Sequence, residues 1–192
     1  MGTIVLTSCG IRNKEFKKHF YEIVPKKELK NKKVLYITTA IDGKEYDCES
    51  WIPEEFKTIL DLGIKRENIT EYKIGNPLDI DQYDIMYMLG GNTIHLMYMI
   101  NKYHFGEFIK EFLKRGKIYI GSSAGSQVLG NSIETCVPFN RNDVNMTDFT
   151  ALGLVNGIII PHANKREEYI KSLDVNGIMF LLFDGDGIII DR

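Results

Sequence analysis

Cysteine, histidine and tryptophan are scarce in this chain of 192 residues, with three, four and one respectively. The cysteines, Cys9, Cys48 and Cys136, are far apart, odd in number and form no CxxC pair. That pattern excludes a disulfide framework and fits a reducing, cytoplasmic setting. No HExxH occurs and the Cys and His residues do not cluster at ligand spacing, so neither a metal nor an organic cofactor is expected. Charge of one sign is also missing: 24 basic against 26 acidic residues leave a formal net charge of −2. Nucleic acid is therefore not an expected partner. Long hydrophobic runs are absent as well. The opening MGTIVLTSCG has no basic flank, and its apolar run is too short for a signal or a membrane span. It reads as a buried first strand, and no membrane partner is expected.

What remains is an ordinary globular composition, 44% hydrophobic and 26% charged. The length suits a single domain over residues 1–192, with no repeat, low-complexity tract or Pro/Gly-rich linker to divide it. Short apolar runs ending in small or turn residues lie at 4–7, 34–38, 85–89, 118–121 and 158–160 and predict buried strands. Helical spacing recurs between or after them at 53–62, 93–101, 105–115 and 165–173. Alternation of this kind predicts an α/β fold, doubly wound, with a mostly parallel sheet covered on both faces. The basic stretch KKELKNKK, 26–33, is short and contains Glu28, so it reads as a solvated helix end before the second strand. In GIMFLLFDGDGIIIDR two apolar runs flank DGDG, and Asp-Gly readily takes the positive φ of tight turns. A C-terminal antiparallel hairpin is expected there.

One strand end carries chemistry. In IYIGSSAGSQVLG, 118–130, the segment Gly121-Ser122-Ser123-Ala124-Gly125 matches GxSxG. In that pattern a sharp strand-to-helix turn exposes the central serine. Small neighbours are a steric requirement of such a turn, and they select Ser123 over Ser122 and Ser126. Ala124 follows the serine at the helix start, where its N–H can face an oxyanion. The blander reading is a helix N-terminus rich in capping serine. Its placement after a buried strand favours the nucleophile.

A nucleophilic serine needs a base. His19, His95 and His104 fall in helical or loop contexts, whereas His162 follows GIIIP at the end of a buried strand. Parallel strands would bring it to the same sheet edge as Ser123, where it could accept the serine proton and return it to a leaving amine. A second strand-to-helix junction, MLGGNT at 88–93, offers Gly90 and Gly91 for close backbone approach and Asn92 or Thr93 as a cap.

With GGNT, GSSAGS and IIPH in this order, the chain resembles peptidase family S51, the dipeptidase E (aspartyl dipeptidase) and cyanophycinase group, over nearly its whole length. The resemblance implies a flavodoxin-like, class I glutamine-amidotransferase-like fold, with Ser123 as nucleophile, His162 as base, and Gly91 with Ala124 as oxyanion hole. It also implies an acid followed by glycine near the C-terminus. Asp184-Gly185 fits that place, with Asp186 and Asp143 as alternatives. Arg166, in HANKREEYI, resembles the family arginine expected to pair with a substrate carboxylate, and Arg141 is a second choice. The implied function is a serine exopeptidase acting through an acyl-enzyme on short peptides, with dipeptides bearing N-terminal Asp expected. Two alternatives are a noncatalytic ligand-binding or sensor protein of the same fold and a hydrolase of another acyl substrate.

Overall fold

The computed structural model describes residues 2–42 and 50–191; Cys48 lies outside them. The strands are β1 (Ile4–Thr7), β2 (Val34–Ile37), β3 (Ile69–Tyr72), β4 (Ile85–Met88), β5 (Ile118–Ser122), β6 (Ile158–Ile160), β7 (Met179–Leu181) and β8 (Gly187–Ile190). The helices are α1 (Lys14–Ile23), α2 (Lys26–Leu29), α3 (Ile52–Asp61), α4 (Thr93–Lys102), α5 (Phe105–Lys114), α6 (Ala124–Gln127) and α7 (Glu167–Ser172). Six strands form the main sheet in the order β3-β2-β4-β5-β1-β8, and β6 pairs with β7 in a small second sheet.

Four short strands, β1, β2, β4 and β5, are buried at every position, which explains their continuous apolar runs. Because side chains alternate across a strand, each strand feeds two cores. Leu6, Leu35, Ile37, Met86, Met88 and Tyr119 pack on one face with residues of α4, α5 and α6. Val5, Val34, Tyr36, Ile85, Tyr87 and Ile120 pack on the other against α1, α2 and α3. β1 pairs in parallel with β5, β5 with β4, β4 with β2 and β2 with β3. The carboxyl ends of these strands therefore share one edge of the sheet, where ligands collect in open α/β folds.

The segment 26–33 is the short helix α2 and a turn leading into β2, as its composition indicated. The expected C-terminal hairpin does not form. β8 pairs antiparallel with β1, whereas β7 pairs in parallel with β6. A tight turn does occur at DGDG, closed by the Asp186 N–H to the Phe183 carbonyl at 3.1 Å with Gly185 at φ 94°. It carries the chain from the small sheet to the main one. The main sheet offers the apolar run of β8 a free edge on β1, and pairing there replaces pairing with β7.

Candidate active site

Ser123 stands between β5 and α6 with φ 47° and ψ −108°, a conformation that non-glycine residues rarely adopt and that costs on the order of 1–3 kcal/mol. The turn is held by its surroundings. The Ser123 N–H donates to the Thr7 carbonyl at 2.9 Å. The buried Ser126 hydroxyl bridges the neighbouring strands, accepting from the Thr7 N–H at 3.0 Å and lying within hydrogen-bond distance of the Thr7 and Gly121 carbonyls, at 2.8 and 2.9 Å. A Cβ on Gly125 would fall inside contact distance of the Met88 carbonyl oxygen, so α6 can lie this close to β4 only with glycine there.

His162 follows β6 in the left-handed region, at φ 57° and ψ 36°. Its Nε2 lies 3.1 Å from Ser123 Oγ, and its Nδ1 lies 2.6 Å from Asp184 Oδ1. Of the acids named from the sequence, Asp184 faces the histidine. Asp186 accepts from Asn13 Nδ2 at 2.9 Å, and Asp143 is exposed and does not line the cavity.

Two groups that the sequence reading did not single out complete this arrangement. The Ser8 hydroxyl accepts from the His162 backbone N–H at 2.7 Å and donates to Asp184 Oδ1 at 2.9 Å. Lys165 Nζ lies 2.6 Å from Asp184 Oδ2. Position was the only signal for Ser8, which follows β1 at the sheet edge that carries Ser123. Burial alone would raise the Asp184 pKa. Hydrogen bonds from Lys165, His162 and Ser8 outweigh it, and the carboxyl is held well below its ordinary range. Burial also pushes the His162 pKa below its ordinary value, against the pull of Asp184. At neutral pH the pair is thus a neutral imidazole beside a carboxylate, which is the state a general base requires.

Gly91 has φ 138°, and a Cβ there would stand 2.5 Å from the Ala40 carbonyl oxygen. Asn92 caps α4 by accepting from the His95 N–H at 2.9 Å. Its Nδ2 donates to the Arg141 carbonyl at 2.9 Å. Ala124 opens α6, where a first-turn amide has no acceptor within its own helix. Gly91 and Ser123 line one cavity of about 630 Å³ with His162, Asp184 and Arg166, a volume in the usual range of small-molecule sites. The Arg166 guanidinium stacks 4.0 Å from the centroid of the Phe139 ring. Arg12, Trp51 and Glu55 lie among the lining residues as well. Among the described residues, no three His, Cys, Asp or Glu side chains form a group able to hold a metal ion.

The family model described as "Peptidase family S51" matches residues 4–188. An uncharacterized peptidase of Listeria monocytogenes is 28% identical over 153 residues, covering 76% of this chain and 75% of that protein. Peptidase E of Shewanella denitrificans is 27% identical over 165 residues, covering 84% of this chain and 67% of that protein. A crystal structure of a candidate peptidase E protein from Listeria monocytogenes superposes with a TM-score of 0.81 at 22% identity, covering 100% of this chain and 95% of that one. That likeness extends the fold to a solved structure. With its elbow, strand order and matched span agreeing, the chain belongs to peptidase family S51, a family of serine-type peptidases.

Proposed function

We propose that the chain is an exopeptidase that hydrolyses short peptides with an N-terminal aspartate through an acyl-enzyme on Ser123. The observation that carries this reading is the continuous relay from Ser123 Oγ through His162 to Asp184, at 3.1 and 2.6 Å. In it, the Ser123 hydroxyl proton passes to His162 Nε2 as Oγ bonds to the scissile carbonyl carbon. The carbonyl π electrons move to oxygen, and the N–H groups of Gly91 and Ala124 stabilise the oxyanion. Collapse breaks the C–N bond while the imidazolium gives its proton to the leaving amine. Water, deprotonated by the same imidazole, then releases the acid and restores Ser123. Asp184 keeps the proton on His162 Nδ1 and stabilises the imidazolium. Arg166 pairs with the substrate carboxylate, for which the planar guanidinium suits bidentate contact. No helix of the described residues is long and apolar enough to cross a membrane, and a reducing cytoplasm suits the unpaired Cys9 and Cys136.

The test is amino-acid release from a panel of dipeptides differing in the first residue, using wild type and Ser123→Ala. Aspartate-first peptides are expected to be cleaved, and Ser123→Ala to lose at least about 10³-fold in kcat/KM. Failure of the wild type to release aspartate from any of them would refute the substrate assignment. Unchanged turnover by Ser123→Ala would refute the nucleophile.

A further inference from the structure

Two sheets meet at the relay, and one hydroxyl ties them together there. Ser123 belongs to the main sheet through β5, whereas His162 follows β6 and Asp184 follows β7, the two strands of the small second sheet. A nucleophile and a base carried by different sheets need a common reference, because a misplacement of about 1 Å can cost on the order of 10²-fold in rate. The end of β1 supplies it. Thr7 lies beside Ser122 in the β1–β5 pairing, and its carbonyl accepts from the Ser123 N–H at 2.9 Å. The next residue, Ser8, turns to the other two members.

A serine hydroxyl has one proton to donate and two lone pairs to accept with. The Ser8 proton goes to Asp184 Oδ1 at 2.9 Å, its oxygen accepts from the His162 backbone N–H at 2.7 Å, and His162 Nδ1 stands 3.2 Å away. Ser8 is 1% exposed, so its hydroxyl is committed to these partners rather than to water. The backbone contact has a purpose of its own. His162 holds the left-handed φ of 57°, which a non-glycine residue keeps only where its surroundings impose it. Its N–H is tied to Ser8 Oγ, and its carbonyl accepts from the Lys165 N–H at 2.8 Å. With the backbone held on both sides, the direction of the ring is set by Nδ1, which meets Asp184 Oδ1 at 2.6 Å. That same oxygen takes the Ser8 proton, and Oδ2 is engaged by Lys165. The carboxylate cannot turn without breaking these contacts.

We infer that Ser8 is a positioning residue: its hydroxyl holds the His162 backbone and the Asp184 carboxylate in register with the Ser123 elbow, so that Nε2 faces Oγ. This rests on the peptidase reading above and adds to it a residue that acts through His162 and Asp184.

Ser8→Ala removes the hydroxyl, and Ser8→Cys nearly keeps the volume while offering only a weak S–H donor. Two measurements are made on each, with near-ultraviolet circular dichroism matching the wild type as the criterion of folding. The first is exchange of the His162 Nδ1 proton with water, followed by nuclear magnetic resonance and assigned by its loss in His162→Gln; it requires no turnover. The wild type is expected to show a protected proton, and both variants to exchange it about 10- to 100-fold faster, as for loss of a hydrogen bond to a charged group. The second is steady-state kinetics on the dipeptide panel. Both variants are expected to lose about 10- to 100-fold in kcat with KM within about twofold, the pattern of a residue that orients the relay without binding the substrate. A folded Ser8→Ala with wild-type values in either measurement overturns the inference, as does a His162 Nδ1 proton unprotected in the wild type. Wild-type values in Ser8→Cys also overturn it, since packing alone would then suffice. If Ser8→Ala misfolds, Ser8→Cys decides on the same two measurements. Cleavage by the wild type with proton exchange unchanged in the variants removes Ser8 and leaves the peptidase assignment standing. Failure of the wild type to cleave any of the dipeptides removes the substrate assignment, and proton exchange alone then decides the role of Ser8.

Discussion

At the scale of single residues, the organisation around His162 makes the two candidate acids, Asp184 and Asp186, separable by experiment. Asp184 is bound to His162, Ser8 and Lys165, whereas Asp186 meets Asn13 at the surface. Asp184→Ala is expected to lower kcat by about 10⁴-fold, the scale set when a triad loses its acid. Asp186→Ala is expected to remain within about twofold of wild type, as exposed substitutions usually do. Steady-state kinetics on one good dipeptide checks both. The pH profile tests the electrostatics. Since catalysis by this scheme needs neutral His162, activity falls as pH drops through the His162 pKa. Burial places that midpoint below 6.5, the ordinary imidazole value, and the Lys165 charge pushes it down further. Lys165→Met should therefore move the acid limb of kcat/KM to higher pH. A limb that stays in place, or moves lower, would contradict the assigned coupling.

At the scale of elements, close approach between α6 and β4 is what presents the serine. Gly125→Ala drives a methyl group into the Met88 carbonyl and is expected to destabilise the fold by at least about 1–3 kcal/mol, the range for overpacked sites. Thermal unfolding of the variant measures this. The same elements show what the sequence made legible. β1, β2, β4 and β5 were readable because both of their faces are buried, leaving uninterrupted apolar runs. β3, with sequence ITEY, was not, since its middle residues are exposed at the sheet edge. The run at β8 was correctly apolar but wrongly paired, because local turn chemistry at DGDG says nothing about which distant edge is open. Ser123 and His162 could be picked out by their places at strand ends and Gly91 through the family resemblance, and the three line one cavity; Ala124, next to Ser123, opens α6. Ser8 could not, because a serine in TSCG resembles any capping residue until β1 is known to lie beside β5.

At the scale of the molecule, one sheet separates two cores. Ile109 lies at 0% exposure in one and Ile59 at 1% in the other. Each Ile→Val change is expected to cost about 0.5–1.5 kcal/mol. Since the two sites belong to separate clusters with no member in common among the described residues, the double variant should show the sum to within about 0.3–0.5 kcal/mol. Denaturant unfolding gives all three values, and a larger departure from the sum would mean that the sheet transmits strain between its faces.

The route of the chain from β7 to β8 also has a consequence for the order in which the site is assembled. Ser8 arrives with β1, the serine elbow with β5 and the histidine after β6, but the acid lies in the turn that precedes β8. A chain ending just after His162 would carry the elbow and the imidazole without the Asp184 carboxylate that faces Nδ1 in the complete fold. Strand β8 then closes along β1, from Gly187 against Thr7 to Ile190 against Ile4, next to the loop carrying Ser8. Under the proposed mechanism the orienting carboxylate is therefore the last catalytic group to be placed, set by the pairing of the final strand.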